Sequence, residues 1–300
     1  SRIGKLPIKI PTTVEINISI NESNLKDLVY NWNGTNYTMY NDSLLLMLNF
    51  DNVSDLGEGD NLNKTIDISN NDFSTNCSNM PSGCNYSSGK YGNAIGFDGI
   101  DDFVVTSANT PSLPFTICLW VNSNSSTPIG MFDSAPSLGN VIRNYDSGKV
   151  EWWDSCPQVT LGLSANTWTH LCFEFSHDGT NRYINWSKDG IKQTAGSCVG
   201  SSTFGWTTFR LGDINNGSSG RFAGYLDNFM IWNRSLNNVE ISQLYTSNLQ
   251  KFNSSQWYLY VNQSLNATDN LSDGNYTYQA HATNSSSIWN DTQIRTVSID

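Results

Sequence analysis

The sequence predicts an all-β protein, a sandwich of two packed sheets with a single short helix. Three observations lead there. From Asn93 onward, short aromatic and β-branched runs alternate with Gly-, Asn- and Asp-rich turns at the spacing of a sandwich. The stretch FAGYLDNFMIW, Phe222 to Trp232, reads as one long strand that gives way after Asn233 to helical spacing over Asn237 to Tyr245. The number of such runs suits two packed sheets and exceeds what one small sheet needs.

Taken in order, Lys5 to Tyr40 holds two strand-like runs, KIPTTVEINISI and LVYNWNGTNYTMY, the second carrying Trp32. A different module begins at Ser43 with SLLLMLNFDN. The segment from Asp51 to Gly92 is dominated by Asn, Ser, Gly and Asp and reads as a long surface loop, too polar to pack a core. Cys77 and Cys84 lie inside it, close enough to staple it locally. Strand candidates follow at residues 93–97, 103–106, 115–121, 129–132, 141–144, 150–153, 158–163, 167–175, 182–187, 191–194, 207–211 and 224–232. Lys188-Asp189-Gly190 marks a hairpin, because Asp-Gly tolerates the positive φ angles of a tight turn. The helix announces its own start: Asn237 with Glu240 three residues on is a capping box, in which each side chain satisfies the other residue's free backbone donor. Ile241, Leu244 and Tyr245 then share one face, so this lone helix reads as a lid on the open side of a sandwich.

After Asn248 the pattern resets with three further strands, QWYLYVNQS, GNYTYQAHATN and TQIRTVSID, too few to close a sandwich alone. The phrase Leu271-Ser-Asp-Gly-Asn-Tyr276-Thr-Tyr278 resembles the tyrosine corner of immunoglobulin-like and fibronectin type III domains. The first forty residues hold the strands this tail lacks. The expected organisation is therefore a module over residues 43–248 inserted into one split immunoglobulin-like sandwich, residues 1–42 plus 249–300. Two unrelated flanking fragments are the alternative.

Composition narrows the function. A net charge of -11 and a pI near 4.6 exclude a nucleic-acid or anionic-membrane surface, since both select basic patches. No window approaches 18 uninterrupted apolar residues, so no transmembrane segment is expected. Ser1 opens without a signal-peptide pattern, and the chain reads as an excerpt of something longer. Six cysteines in a Ser-, Thr- and Asn-rich chain with only 14% charged residues point to a secreted or cell-surface protein with disulfides. Asn-x-Ser/Thr triplets recur, at Asn33, Asn76, Asn185 and Asn275 among others, and mark candidate glycosylation sites. Chance in an Asn-rich chain is the competing reading.

The stretches NAIGFDGIDDFVV (Asn93 to Val105), PFTICLWV (Pro114 to Val121) and GYLDNFMIWNRSLNNVEISQLY together resemble the laminin G-like and pentraxin-like group of concanavalin A-type jelly rolls. Gly224, Leu226, Asp227, Trp232, Leu236, Glu240, Ile241 and Tyr245 fill the places of the phrase that closes such domains. The resemblance covers about two thirds of the chain. It implies that the run from Ser43 takes the position of the first strand.

The resemblance also bears on the cysteines. Phe115, Ile117, Leu119 and Val121 alternate with Thr116, Cys118 and Trp120; Leu171, Phe173 and Phe175 alternate with Trp168, His170, Cys172 and Glu174. Both cysteines fall on the less apolar face, and pentraxins carry a disulfide between the strands these two resemble. That implies Cys118 with Cys172 and leaves Cys156 with Cys198. Zinc is disfavoured, because no two cysteines stand two apart and the histidines are scattered.

Three chemistries remain to be weighed. Glycoside hydrolysis needs paired carboxylates, often E-x-D-x-x-E on one strand, and no such run occurs; Glu151 with Asp154, and Glu174 with Asp178, are loose matches. No histidine sits in a nucleophile motif, so the chain is expected to be non-catalytic. Calcium is the second, with ligands that the resemblance places on rim loops: Asp133, Asn140, Asp213 and Asn215, by position alone. Ordinary turn residues are the competing reading. Asp98, Asp101 and Asp102 form a further acidic cluster. Asp227 needs a buried partner, either an ion shared with Asp102 or, more simply, backbone donors. Carbohydrate is the third: of the consecutive Trp152 and Trp153 one must face away from the core, and with Trp206 it would make a stacking platform. The leading expectation is a cell-surface adhesion or recognition module for a glycan or surface protein, with calcium as a candidate aid. The other is a structural module of a stalk, filament or surface layer, assembled with neighbouring copies.

Overall fold

The structure is a computed structural model that describes residues 13–59, 61–77, 80, 83–109, 111–134, 142–145, 148–152, 157–200, 208–214 and 220–300. Among these residues the strands form four sheets, all with antiparallel pairing, and one helix stands beside them.

Two sheets make the sandwich. One has seven strands in the order Gln158–Thr160, Lys149–Trp152, Ile142–Tyr145, Phe132–Asp133, Phe209–Leu211, Val104–Thr106 and Thr75–Asn76. The other runs Ile191–Lys192, Asn181–Lys188, Thr169–His177, Phe115–Ser123, Ala223–Trp232, Asn93–Asp98 and Tyr86–Ser88, with Leu44–Leu48 also paired to Ala223–Trp232 and Gly196–Val199 to Asn181–Lys188. Between them lies one apolar core, including Phe115, Ile117, Leu119, Phe173, Phe175, Phe132, Trp152 and Phe209. The alternation read from sequence thus sorts these side chains correctly.

Ala223–Trp232 sits at the centre of the larger sheet. Its pairing with Phe115–Ser123 is broken between Asp227 and Met230, where Asn228 takes a φ of 47°. The break lets one strand serve two neighbours on its other edge, Asn93–Asp98 through Ala223 to Leu226 and Leu44–Leu48 through Phe229 to Trp232. Gly224 is required there. Its φ is 143°, and a Cβ would stand 2.3 Å from the Asn122 carbonyl oxygen. The Asp227 carboxylate accepts from the backbone N–H groups of Lys90 (2.9 Å) and Tyr91 (3.0 Å), and its burial pushes the carboxyl well above the usual carboxylate range. Backbone donors, the simpler of the two expected partners, are what it has.

The helix spans Asn238–Tyr245 and starts as its capping box requires. Asn237 Oδ1 accepts from Val239 and Glu240 N–H, and Glu240 Oε2 accepts from Asn237 N–H at 2.9 Å. Thr116, on the outer face of the larger sheet, fixes its approach by donating to Arg234 O and accepting from Leu236 N–H. Ile241 and Leu244 then bury against that face.

The polar segment before Asn93 departs from expectation. Far from a surface loop, it buries Glu58, Thr65, Asp67, Ile68, Cys77, Met80 and Cys84 and adds a strand to each sheet. The reason is that its acids replace the missing ladder. Asp67 accepts from Met47, Ser69 and Phe73 N–H, and Glu58 from Val53 and Ile66 N–H and the Thr65 hydroxyl, so the buried backbone is satisfied without regular structure. Cys77 and Cys84 are bonded to each other within it.

The two ends of the chain fold together. Val14–Asn21 pairs along its length with Gln256–Gln263, which also pairs Ser247–Lys251. Leu25–Trp32 pairs with Gly274–Asn284 on one side and Thr35–Tyr40 on the other, and Trp289–Asp291 and Arg295–Ile299 complete that sheet. Asn33-Gly34, both at positive φ, divides what reads in sequence as one run into a hairpin. Tyr276 Oη donates to the Ser272 carbonyl at 3.0 Å, the tie expected of the Leu271–Tyr278 phrase. One apolar cluster joins these terminal sheets to the helix and to the outer face of the larger sheet: Tyr40, Trp257 and Leu259 belong to it together with Ile241, Leu244, Met230 and Trp232.

Candidate functional site

The two sandwich sheets present different outer faces. Cys118 and Cys172 are direct cross-strand partners on the larger sheet's outer face and are bonded to each other. That face is not half-solvated, as its polar residues suggest, but closed over. His170 meets Trp120 (5.1 Å) and Tyr245 (5.9 Å) at tilted angles, Trp120 stacks on Tyr245, and the Lys90 ammonium sits 4.5 Å above the Trp120 ring. Burial, with Lys90 nearby, pushes the His170 imidazole down to about 3. His170 stands near both sulfurs, but in a disulfide these are not thiolate ligands for a metal. Cys198 is also disulfide-bonded, while its expected partner Cys156 lies outside the described residues.

The outer face of the seven-stranded sheet carries charge. Register places Gln158 opposite Glu151, Glu151 opposite Arg143, Arg143 opposite Asp133, Asp133 opposite Arg210 and Arg210 opposite Val105. Directly opposed residues share a face, so this is one row across six strands, behind which Trp152, Val150, Phe132 and Leu211 point into the core. Arg143 Nε meets Glu151 Oε1 at 3.0 Å. At the other end Asp213 Oδ2 is bridged by Arg210 (3.0 Å) and Arg221 (3.4 Å), and the Arg210 guanidinium lies 4.6 Å from the Phe103 ring centroid. Asp213 is set by the turn before it: a Cβ on Gly212, whose φ is 89°, would stand 2.2 Å from the Phe97 ring. Glu151 and Asp213 are buried, while the side chains of Arg143, Arg210 and Arg221 keep 11, 16 and 18% exposure. The face therefore offers guanidinium donors above acceptors whose charge they already balance.

This geometry corrects one expectation. Trp152 is fully buried, edge-on to Phe175 with the Arg182 guanidinium 5.2 Å from its ring, so it cannot stack on a sugar. Asp133 and Asp213, two of the candidate calcium ligands, both have guanidinium neighbours. Arg143 and Arg210 stand on either side of Asp133 in the row, and Arg210 and Arg221 bridge Asp213. Asn140, Asn215, Trp153 and Trp206 lie outside the described residues. Asp98, Asp101 and Asp102 do approach one another, but Asp98 Oδ1 accepts from Ile100 N–H and Asp102 Oδ2 from Asp98 N–H, which is the work of a turn. Arg143, Arg210 and Arg221 were not singled out from sequence. The available signal was parity for Arg210, which alternates with Phe209 and Leu211 in the predicted strand 207–211; Arg221 fell in no predicted strand. Among the described tryptophans, Trp289 alone is exposed.

Residues 97–242 match the family model of the concanavalin A-like lectin/glucanases superfamily. That segment is a laminin G-like jelly roll. Solved structures agree on the fold of the laminin G-like domain. Domain 4 of AbnA, an extracellular GH43 arabinanase from Geobacillus stearothermophilus solved with arabinotriose, is 20% identical, with a TM-score of 0.50 over 66% of this chain and 96% of that one. The binding domain of Paraclostridial Mosquitocidal Protein 1 is 16% identical, with a TM-score of 0.51 over 70% of this chain and 54% of its own. The receptor-binding domain of botulinum neurotoxin type G is 10% identical, with a TM-score of 0.50 over 86% of this chain and 79% of its own. By sequence, no curated protein matches the chain. Among the described residues no helix is long and apolar enough to cross a membrane.

Proposed function

We propose that this chain is a non-catalytic, extracellular glycan-recognition module that binds on the outer face of the seven-stranded sheet. The observation that carries the reading is the row Arg210–Asp133–Arg143–Glu151 with Asp213 and Arg221. Sugar hydroxyls both donate and accept, and such a row offers both in fixed geometry with no net charge to select an anion. Trp153, just after Lys149–Trp152, and Trp206, three residues before Phe209, are the aromatic candidates retained for stacking. The bound arabinotriose of the AbnA domain and the receptor-binding role of the toxin domain support recognition over chemistry. The disulfides support an oxidising compartment. In this reading calcium is not required, because arginines flank Asp133 and pair with Asp213.

The test is a glycan array followed by titration of the best hit. Arg143→Ala, Arg210→Ala and Trp153→Ala are each expected to weaken binding about tenfold or more, equivalent to roughly 1.4 kcal/mol. Full binding by the Arg143→Ala/Arg210→Ala double variant defeats the reading.

A second reading, a stalk or surface-layer module in contact with neighbouring copies, draws on a specific feature. Val14–Asn21 pairs on one edge only among the described residues, and such an edge can accept a strand. We also read the terminal sheets as one split immunoglobulin-like sandwich, supported by the tyrosine corner and by the pairing of both chain ends. Concentration-dependent assembly in solution alongside silence on every glycan would favour the structural module.

A further inference from the structure

The junction of the jelly roll with the terminal sheets holds a cavity of about 380 Å³, within the ordinary range for small-molecule sites of about 300 to 1,000 Å³. Four segments distant in sequence build it: Tyr37 on the Thr35–Tyr40 strand, the hairpin turn at Gly190–Lys192, the helix with Thr246 just after it, and the stretch 263–268 that leaves the Gln256–Gln263 strand. Gly190 brings them close, for a Cβ there would stand 2.8 Å from the Ala267 Cβ and 3.2 Å from the Tyr245 Cβ.

The lining has a definite chemistry. Ile191, Val239 and Leu265, among the few large apolar side chains left exposed (43, 55 and 58%), all line this cavity. Between them stand neutral amides and hydroxyls, with Lys192 the one charged residue in the lining. Gln263 is the decisive member. It is 3% exposed and donates from Nε2 to the Ser264 carbonyl at 2.7 Å, yet its buried Oε1 has no hydrogen-bond partner. Gln243 differs: its Nε2 donates to the Ser247 hydroxyl and its backbone carbonyl accepts in return. A buried acceptor without a donor is costly, by about 1 to 3 kcal/mol, unless a ligand or solvent donor completes it.

We propose that this cavity is a binding site for a neutral, hydroxyl-rich ring, a sugar unit or cyclic polyol, whose hydroxyl donates to Gln263 Oε1 once that buried amide turns toward the cavity, while its C–H face lies on Ile191, Val239 and Leu265. An anion would find one lysine and no guanidinium, and a cation no carboxylate, so charged ligands are not selected. An aliphatic ligand would leave the amides unmatched. The site is separate from the arginine row and does not depend on it.

The experiment is amide-resolved NMR of the whole chain, titrated separately with glucose, galactose, mannose, arabinose, N-acetylglucosamine and myo-inositol. At least one is expected to shift Val239, Ser242, Gln263 and Leu265 with saturable behaviour. Ser242→Trp, which fills the space from the helix, is expected to abolish those shifts while Arg210→Ala leaves them intact. Gln263→Met, which keeps the shape and removes the acceptor, is expected to weaken binding about tenfold. Should Ser242→Trp disturb folding, Val239→Glu places a charge at the mouth on an exposed position that the helix N-terminus tolerates. Shifts confined to the arginine row, no saturable shift with any of the six probes, or undiminished binding in Val239→Glu would each overturn the proposal.

Discussion

The jelly roll's two sheets lend their inner faces to the same core, and their outer faces then diverge. On the larger sheet, Thr116, Cys118, Trp120, His170, Cys172, Met230 and Trp232 are all buried, because the helix and the terminal sheets close over them. On the smaller sheet, the outer row is made of alternating arginines and acids that stabilise one another without an apolar cover. The contrast shows how one sandwich separates a covered apolar face from an open charged one. Burial stabilises the first, whereas internally balanced charge keeps the second polar and still able to offer donors.

The sharpest test of that contrast is to damage the covered face. Trp232→Ala, at a fully buried ring in the joint cluster, is expected to cost about 3 to 5 kcal/mol in chemical denaturation. Because jelly roll and terminal strands share that cluster, the wild-type chain should unfold in one transition. Two transitions would mean that the covered face is a mere contact. Replacing Cys118 and Cys172 together by alanine, which opens a link across 54 residues, should lower stability by about 2 to 4 kcal/mol.

On the charged face, Asp213→Ala leaves Arg210 and Arg221 facing each other and is expected to cost about 3 kcal/mol. Calcium and chelator should leave the melting temperature unchanged; a rise with calcium would restore the ion that this charge balance argues against.

The smallest effect is a pH dependence specific to the covered face. His170 is neutral in the fold down to about 3, whereas in the unfolded chain it takes up a proton near 6.5. Between those values the unfolded state binds more protons, so stability present above 6.5 is lost as pH falls toward 3. Asp51, pushed by burial from 3.8 to about 6, acts with the opposite sign, holding a proton in the fold that the unfolded chain has released, and so stabilises as pH falls from 6 toward 4. His170→Phe should therefore flatten the acid limb of a stability-against-pH curve, and an unchanged limb would show that His170 is solvated.

Much of the architecture was legible because its determinants are local. The helix start needs only Asn237 and Glu240, the Asp189-Gly190 turn needs only two adjacent positive φ angles, and alternation alone put Phe115, Ile117, Leu119, Leu171 and Phe173 into one core. Alternation also placed Cys118 and Cys172 on like faces. The polar segment before Asn93 was misread because Asp67 and Glu58 satisfy backbone donors from residues as distant as Met47, which composition cannot reveal. Trp152 was misjudged because two adjacent tryptophans fix that one faces inward but not which.

By itself, then, the sequence determined periodicity, caps and turns, and with them an all-β chain whose strand and helix close a sandwich. Only the tertiary structure decided which faces were covered and which charges met. Asp133 lies between Arg143 and Arg210 because Phe132–Asp133 pairs with Phe209–Leu211, more than seventy residues away, and the junction cavity exists because both chain ends pack on the jelly roll's helix. Such neighbours are set by strand order and by which surfaces exclude water, and no local pattern in the chain encodes either.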